Sequence, residues 1–335
     1  MAYIIESSSF QLNSISTLKE VIKNPDLNIE QKLKKYGAII FRGFEINNTL
    51  EFEEIALTIC PNLKTEYLGT SPRNPKTTYV FSASEFPSHY PVMQHCEMSF
   101  LPNPPKKLMF FCEQEADFGG ETPLCDFRKI SIEMDPSIRK EFEEKGIKLI
   151  RNYSSPSKKK NSKFQLKSWT DIFKTTDKNI VEQKCKENNT RAKWTNDDHL
   201  ILINQNNAFR VDSENDQKIW FNHLLSFHPY SSVIEYKKIA QKQKDFRSYK
   251  YYALLKIMVG YNNLIQNPTK RPLHAQFGDG TEIPKKYIEH IQELVWKNLF
   301  FLDWQKGDIV LIDNFTTSHG RMPYKGNRKI HIAWS

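Results

Sequence analysis

The sequence is compatible with an α+β chain, mainly β, on three observations. Short apolar runs are bounded by glycine or polar residues, as at Ala38–Phe41, Leu108–Glu113 and Ile309–Ile312, the last rich in branched residues; such runs read as buried strands. Helical periodicity is confined to a few segments, chiefly Asn48–Cys60 and the stretch from Pro284 to Trp296. No internal repeat or inter-domain linker interrupts residues 1–335, so one domain is expected.

Taken in order, residues 1–35 are polar and lead into Gly37-Ala-Ile-Ile-Phe-Arg-Gly-Phe44, a strand signal ended by Gly43. Leu50, Phe52, Ile55, Ala56 and Ile59 then fall at helical spacing, with Asn47 or Asn48 as N-cap. Residues 61–90 are rich in Pro, Ser and Thr and read as a loop and strand. They carry Arg73, a substrate-binding candidate because loops on a rigid scaffold often hold such contacts; a surface or structural arginine is the competing reading. Gly119-Gly120 allows a tight turn or the close approach of a ligand. Ser131–Lys145 reads as helix and Ile147–Tyr153 as strand. Residues 154–200 are basic and irregular, with a helix over Asp177–Asn188. Leu200–Asn204 and Ala208–Val211 read as short strands, and Arg210 is a second candidate for an anionic substrate, against a surface role. The aromatics of Lys218-Ile-Trp-Phe-Asn line a pocket or pack in the core. Val233–Tyr261 is a long Lys- and Tyr-rich helical pattern, read as an insertion or lid around residues 231–265.

The net charge is +9 and the pI about 9.1. A solvated basic surface, an acidic protein partner and nucleic acid are the three explanations. The charge is spread along the chain, and its main run, Lys158-Lys-Lys, sits in a Ser/Asn-rich stretch without interleaved aromatics, so no nucleic-acid partner is expected. The five cysteines are odd in number and show no paired spacing, which argues against a disulfide framework or a structural zinc site. No long uncharged apolar run occurs, and the N-terminus has neither a basic region nor a signal core. A cytoplasmic protein that does not engage a membrane is expected.

The chemistry concentrates between Val92 and Asp126. Residues two apart on a strand share a face, so His95-x-Glu97 projects an imidazole and a carboxylate together. Both are good ligands for a divalent first-row metal, and iron oxygenases use two histidines and one carboxylate with the other positions open. His319 is the candidate third ligand, following the Ile309–Ile312 strand after a polar loop. Arg328 follows, before Ile330 and Ile332 in strand-like alternation, and its planar fork suits a carboxylate.

His95-x-Glu97, Gly119-Gly-Glu-Thr122-Pro, His319-Gly-Arg and Arg328, in this order, resemble the iron(II)/2-oxoglutarate dioxygenases of the taurine dioxygenase (TauD/TfdA) superfamily. Lys218-Ile-Trp-Phe-Asn, Phe277-Gly-Asp-Gly and Trp304-Gln-Lys-Gly-Asp are similar to the clavaminate synthase-like, syringomycin-biosynthesis-type branch. The resemblance implies a double-stranded β-helix (jelly roll) with flanking helices. It implies that His95, Glu97 and His319 hold Fe(II), that Arg328 binds the far carboxylate of 2-oxoglutarate, and that Thr122 assists at this co-substrate. O2 is the other co-substrate. Halogenases of the superfamily have a small residue in place of the carboxylate, so Glu97 implies hydroxylation, with desaturation or epoxidation as alternatives. The implied substrate is a small molecule, an amino acid or its derivative, free or tethered to a carrier protein, in specialised (antibiotic-type) metabolism. A sulfonate or aryloxy-acid catabolic dioxygenase and a non-catalytic metal-binding protein are the alternative readings.

Overall fold

The computed structural model describes residues 2–67, 69, 73–156, 168–265 and 271–335. The Lys158–Lys160 run lies outside these. Helix takes 37% and strand 27% of the described residues. The fold is therefore mixed α+β, and the expectation of a mainly β chain is corrected. The excess of helix has two sources: the polar leader, which holds helices not expected there, and the segment from residue 127 to 297.

The chain divides into two compact units. The first comprises residues 1–97, 105–128 and 298–335. Its six-stranded sheet runs in the order Tyr3–Glu6, Ala38–Arg42, Ile309–Asp313, Lys107–Gln114, Lys329–Trp334, Phe81–Ser82. Both faces of its central strands are apolar, as strands covered on both sides must be. On one face Ile39, Phe41, Met109, Phe111, Ile309 and Leu311 pack against helices Ile15–Lys23, Ile29–Tyr36 and Thr49–Ile59 through Leu18, Leu33, Phe52 and Ile55. The first two of these helices and the Tyr3–Glu6 strand lie where the sequence reads only as a polar leader. Asn48 caps the third, accepting from Leu50 N and Glu51 N at 3.0 Å each. On the opposite face Phe110 puts its ring 5.2 Å from that of His319. His319 belongs to a four-stranded sheet ordered Leu299–Leu302, Thr122–Asp126, Thr317–Arg321, Val92–His95. Its paired strands are antiparallel.

The second unit comprises residues 98–104 and 129–297. Its sheet runs Leu273–Phe277, Ile147–Tyr153, Leu200–Asn206, Arg191–Trp194, antiparallel throughout. Tyr153, Trp169, Val181, Cys185, Leu200 and Leu202 form an apolar cluster beside it. Ser131–Lys145 is not one helix but two, Phe127–Glu133 and Pro136–Lys145; Asp135 caps the second and Pro136 opens it. Likewise the Val233–Tyr261 pattern is two helices, Pro229–Gln243 and Phe246–Ile265, the first ended by Lys244 in the left-handed region at φ 52°. Among the described residues no helix is long and apolar enough to cross a membrane.

Candidate metal centre

The four-stranded sheet brings the proposed ligands together by register. Thr317–Arg321 lies beside Val92–His95 with His319 directly opposite His95, and their rings are 4.4 Å apart. The strand ends at His95, so Glu97 is on the turn that follows. This corrects the expectation that strand alternation aims His95 and Glu97 together; the turn does so instead. Glu97 Oε2 lies 3.9 Å from His95 Nε2 and 3.8 Å from His319 Nε2. The three ligand atoms fall within 4.8 Å of one another, and all three residues are buried. Buried imidazoles and a carboxylate at such spacing normally bind something.

Each ligand is held from behind. His95 Nδ1 donates to the Met93 carbonyl at 2.8 Å, which fixes the tautomer and turns the Nε2 lone pair toward Glu97. Asn314, fully buried, locks the Glu97 turn: its Oδ1 accepts from Glu97 N at 2.7 Å, and its Nδ2 donates to the Glu97 and Pro105 carbonyls at 3.0 and 2.7 Å. Burial alone would push the Glu97 carboxyl up, but Arg73, with His95 and His319, holds it well below the usual carboxylate range. Burial, then the neighbouring His95, pushes the His319 imidazole well below its ordinary value. The donor set is thus one carboxylate and a neutral imidazole beside a second one, which fits a divalent first-row metal. Among the described residues the buried His319 Nδ1 has no hydrogen-bond partner, so its ring is placed by packing, including Phe110.

Arg73 lies in this centre. Its Nη2 donates to Glu97 Oε2 at 2.6 Å, and its Nη1 donates to the Ser82 carbonyl at 3.3 Å and to the Ala83 carbonyl. Its guanidinium stacks 4.5 Å from the Tyr67 ring, and Tyr67 Oη donates to Glu97 Oε1 at 3.1 Å. Arg210 lies in the second unit, on the Phe209–Val211 strand, with its guanidinium 5.8 Å from the Phe221 ring.

Thr122 and Arg328 meet. Arg328 Nε donates to the Gly120 carbonyl at 2.9 Å and its Nη2 to Thr122 Oγ1 at 3.4 Å. Trp304 Nε1 donates to the same Thr122 oxygen at 2.9 Å. Thr122 Oγ1 accepts from both and so keeps its own hydrogen for a further acceptor. Burial pushes the Arg328 guanidinium down to about 9, only partly offset by the fields of Tyr324, Cys112 and Glu121. At neutral pH this cation is charged, poorly solvated and bonded only to neutral oxygens, a state that a carboxylate would relieve. Gly120 has φ +78°, and a Cβ there would sit a tight 3.1 Å from the Ala116, Arg328 and Tyr324 side chains.

Tyr67, Asn314 and Trp304 were not legible as site residues. Each acts through a hydrogen bond to a residue at least thirty positions away. Trp304 carries part of the family resemblance, but no local signal gives it a task.

The model described as "Taurine catabolism dioxygenase TauD, TfdA family" matches residues 14–334. The chain belongs to this family. As a member it is an Fe(II)/2-oxoglutarate-dependent dioxygenase. Dapdiamide synthesis protein DdaC of Enterobacter agglomerans is 32% identical over 306 residues, covering 91% of this chain and 84% of that one. A clavaminate synthase-like protein of Arabidopsis thaliana is 25% identical over 327 residues, covering 95% and 87%. Among solved structures, PvcB of Pseudomonas aeruginosa shares the fold with a TM-score of 0.52 at 10% identity, over 100% of this chain and 85% of that one. A second PvcB structure, described as an Fe, alpha-ketoglutarate dependent oxygenase from an isonitrile synthetic pathway, has a TM-score of 0.50 at 11% identity, over 99% and 84%.

Proposed function

We propose that the chain hydroxylates an amino acid or amino-acid-derived small molecule in specialised metabolism, with His95, Glu97 and His319 as the iron ligands. The observation that carries this is the conjunction, in one unit, of the buried ligand triad and a buried guanidinium with no carboxylate partner among the described residues, Arg328. A metal-binding module has no use for the second. Fe(II) with 2-oxoglutarate and O2 supplies the oxidant, inserting one oxygen atom into a substrate C–H bond while 2-oxoglutarate becomes succinate and CO2.

The chain's own part is positioning. Arg328 clamps the far carboxylate of 2-oxoglutarate through a charge-assisted contact, and Thr122 donates the hydrogen that Trp304 and Arg328 leave free. Asn314 and the His95–Met93 contact hold their ligands in place before any metal arrives. Arg73 is proposed as a substrate contact for an anionic group, because it is a cation already at the ligand triad. The core carrying these residues is proposed to be a double-stranded β-helix, and both units are assigned to one dioxygenase domain because a single family match spans them. Helices Pro229–Gln243 and Phe246–Ile265 cover the segment proposed as an insertion or lid.

The substrate class is supported by the relatives' descriptions, dapdiamide synthesis and an isonitrile pathway. Presentation on an acidic carrier protein is the finer proposal, because a net charge of +9 would steer such a partner. The proposed setting is the reducing cytoplasm, in keeping with five cysteines that form no disulfide.

The test is an anaerobic spectrum. Adding 2-oxoglutarate to the Fe(II)-loaded protein should raise a weak visible charge-transfer band that needs both components and is lost or weakened in His319→Ala and Arg328→Ala. Absence of the band from folded, iron-loaded protein would remove the oxygenase assignment of these residues. Mass analysis of product from free and carrier-bound amino acids then separates hydroxylation from skeletal cleavage; turnover of the free acid alone removes the carrier.

A further inference from the structure

The second unit holds a buried cation that the proposed chemistry leaves unused. Arg151, on the Ile147–Tyr153 strand, is 4% exposed. Among the described residues its one hydrogen bond runs from Nη2 to Asn204 Oδ1, a neutral acceptor, at 2.7 Å, and its buried Nε has no partner. The guanidinium stacks 4.4 Å from the Phe100 ring. Among the described residues it pairs with no carboxylate, and the undescribed segments contain no Asp or Glu. Cys185, whose thiol feels the field of Arg151, offers no counter-charge, since burial pushes it up to about 11.

A second unsatisfied donor lies beside it. Tyr153 is fully buried, and among the described residues its hydroxyl has no hydrogen-bond partner. Tyr153 and Arg151 are two apart on one strand and so share a face. Asn204, paired with Leu149 on the neighbouring strand, adds its amide to that face, where it is oriented by Thr190 Oγ1 at 2.8 Å and the Phe100 carbonyl at 3.3 Å. An uncompensated buried guanidinium costs several kcal/mol, and a buried hydroxyl without a partner adds to that cost. An acceptor supplied from outside the chain would relieve both costs at once.

We infer that Arg151 and Tyr153 form a carboxylate-binding subsite within the second unit, one that takes the carboxylate of a small organic acid. The guanidinium supplies charge and Nε–H, the phenol a second donor, and the Phe100 ring the apolar floor. The subsite draws on none of the proposed iron or 2-oxoglutarate residues, and it stands whether or not that assignment does.

The test uses the full chain loaded with Mn(II) and saturating 2-oxoglutarate, so that Arg328 is already occupied. Its melting midpoint is followed in sodium acetate against sodium chloride at equal ionic strength, for the parent, Arg151→Met and Tyr153→Phe. Acetate should give a saturable rise in the parent, absent in Arg151→Met and about threefold to tenfold weaker in Tyr153→Phe, as for the loss of one neutral hydrogen bond. In chloride alone Arg151→Met should melt no lower than the parent, because methionine keeps the stem packed on Phe100 and removes the unpaired charge. An acetate response no larger than that of chloride, one that persists in Arg151→Met, or an Arg151→Met protein that melts well below the parent would each overturn the subsite and make Arg151 a structural cation. None of these results bears on the iron centre.

Discussion

At the scale of single residues, the centre depends on one carboxylate. Glu97 Oε2 lies 3.9 and 3.8 Å from the His95 and His319 Nε2 atoms, and no neighbouring acid can replace it among the described residues. Glu97→Ala should abolish hydroxylation and also lower stability, because it leaves the buried Arg73 guanidinium without its carboxylate, although Asn314 still holds the turn through main-chain atoms. Full activity in that variant would sink the ligand assignment. Arg328→Met should raise the KM for 2-oxoglutarate at least about tenfold, the value of one charge-assisted contact, without lowering the melting midpoint of the ligand-free protein. A large loss of stability would mean instead that Arg328 braces the Gly120 turn. His95, Glu97, His319, Thr122 and Arg328 were legible because their types and order form a pattern along the chain. Strand alternation does not make the His95–Glu97 pairing: a turn, not a pleat, aims the carboxylate. Tyr67, Asn314 and Trp304 were illegible because a tertiary hydrogen bond leaves no periodicity behind.

At the scale of elements, local chemistry and tertiary context divide the credit. The Asn48 cap, the Ala38–Arg42 and Ile309–Asp313 strands and the amphipathic Lys285–Lys297 helix could be read from side-chain type and spacing. The leader could not. Ile15–Lys23 and Ile29–Tyr36 are short, and helices of that length are held by packing more than by propensity. The second of them ends at Gly37, at φ +76°, and a side chain there would overlap Thr317 Oγ1, two residues before His319. Gly37→Ala should therefore destabilise the protein by about 2 kcal/mol or more, combining left-handed strain with a close contact. It should also weaken metal binding by displacing the Thr317–Arg321 strand. Denaturant melts and Mn(II) titration read the two effects, and unchanged metal affinity in a destabilised variant would show that the strand does not transmit the displacement.

For the molecule as a whole, two buried groups of the second unit set opposite limits on stability with pH. Burial lowers the His228 imidazole to about 4. An unfolded histidine titrates at about 6.5, so stability is present above that value and is lost as pH falls toward 4. Burial raises the Glu235 carboxyl to about 7, against the bonds from Trp296 Nε1 at 2.9 Å and Gln292 Nε2 at 3.1 Å. Its stabilising contribution is full below the unfolded carboxylate value of about 4.3 and is lost as pH rises through about 7. Between these limits the two trends oppose each other, and above pH 7 only the cost of ionised Glu235 remains, roughly 4 kcal/mol at most. Glu235→Gln keeps an acceptor for Trp296 and Gln292 but cannot ionise. It should melt with the parent near pH 4.5 and a few degrees above it at pH 8.5. A difference between the two proteins that does not change with pH would mean that Glu235 is already ionised in the folded state, compensated by its two donors, and that the alkaline limit lies elsewhere.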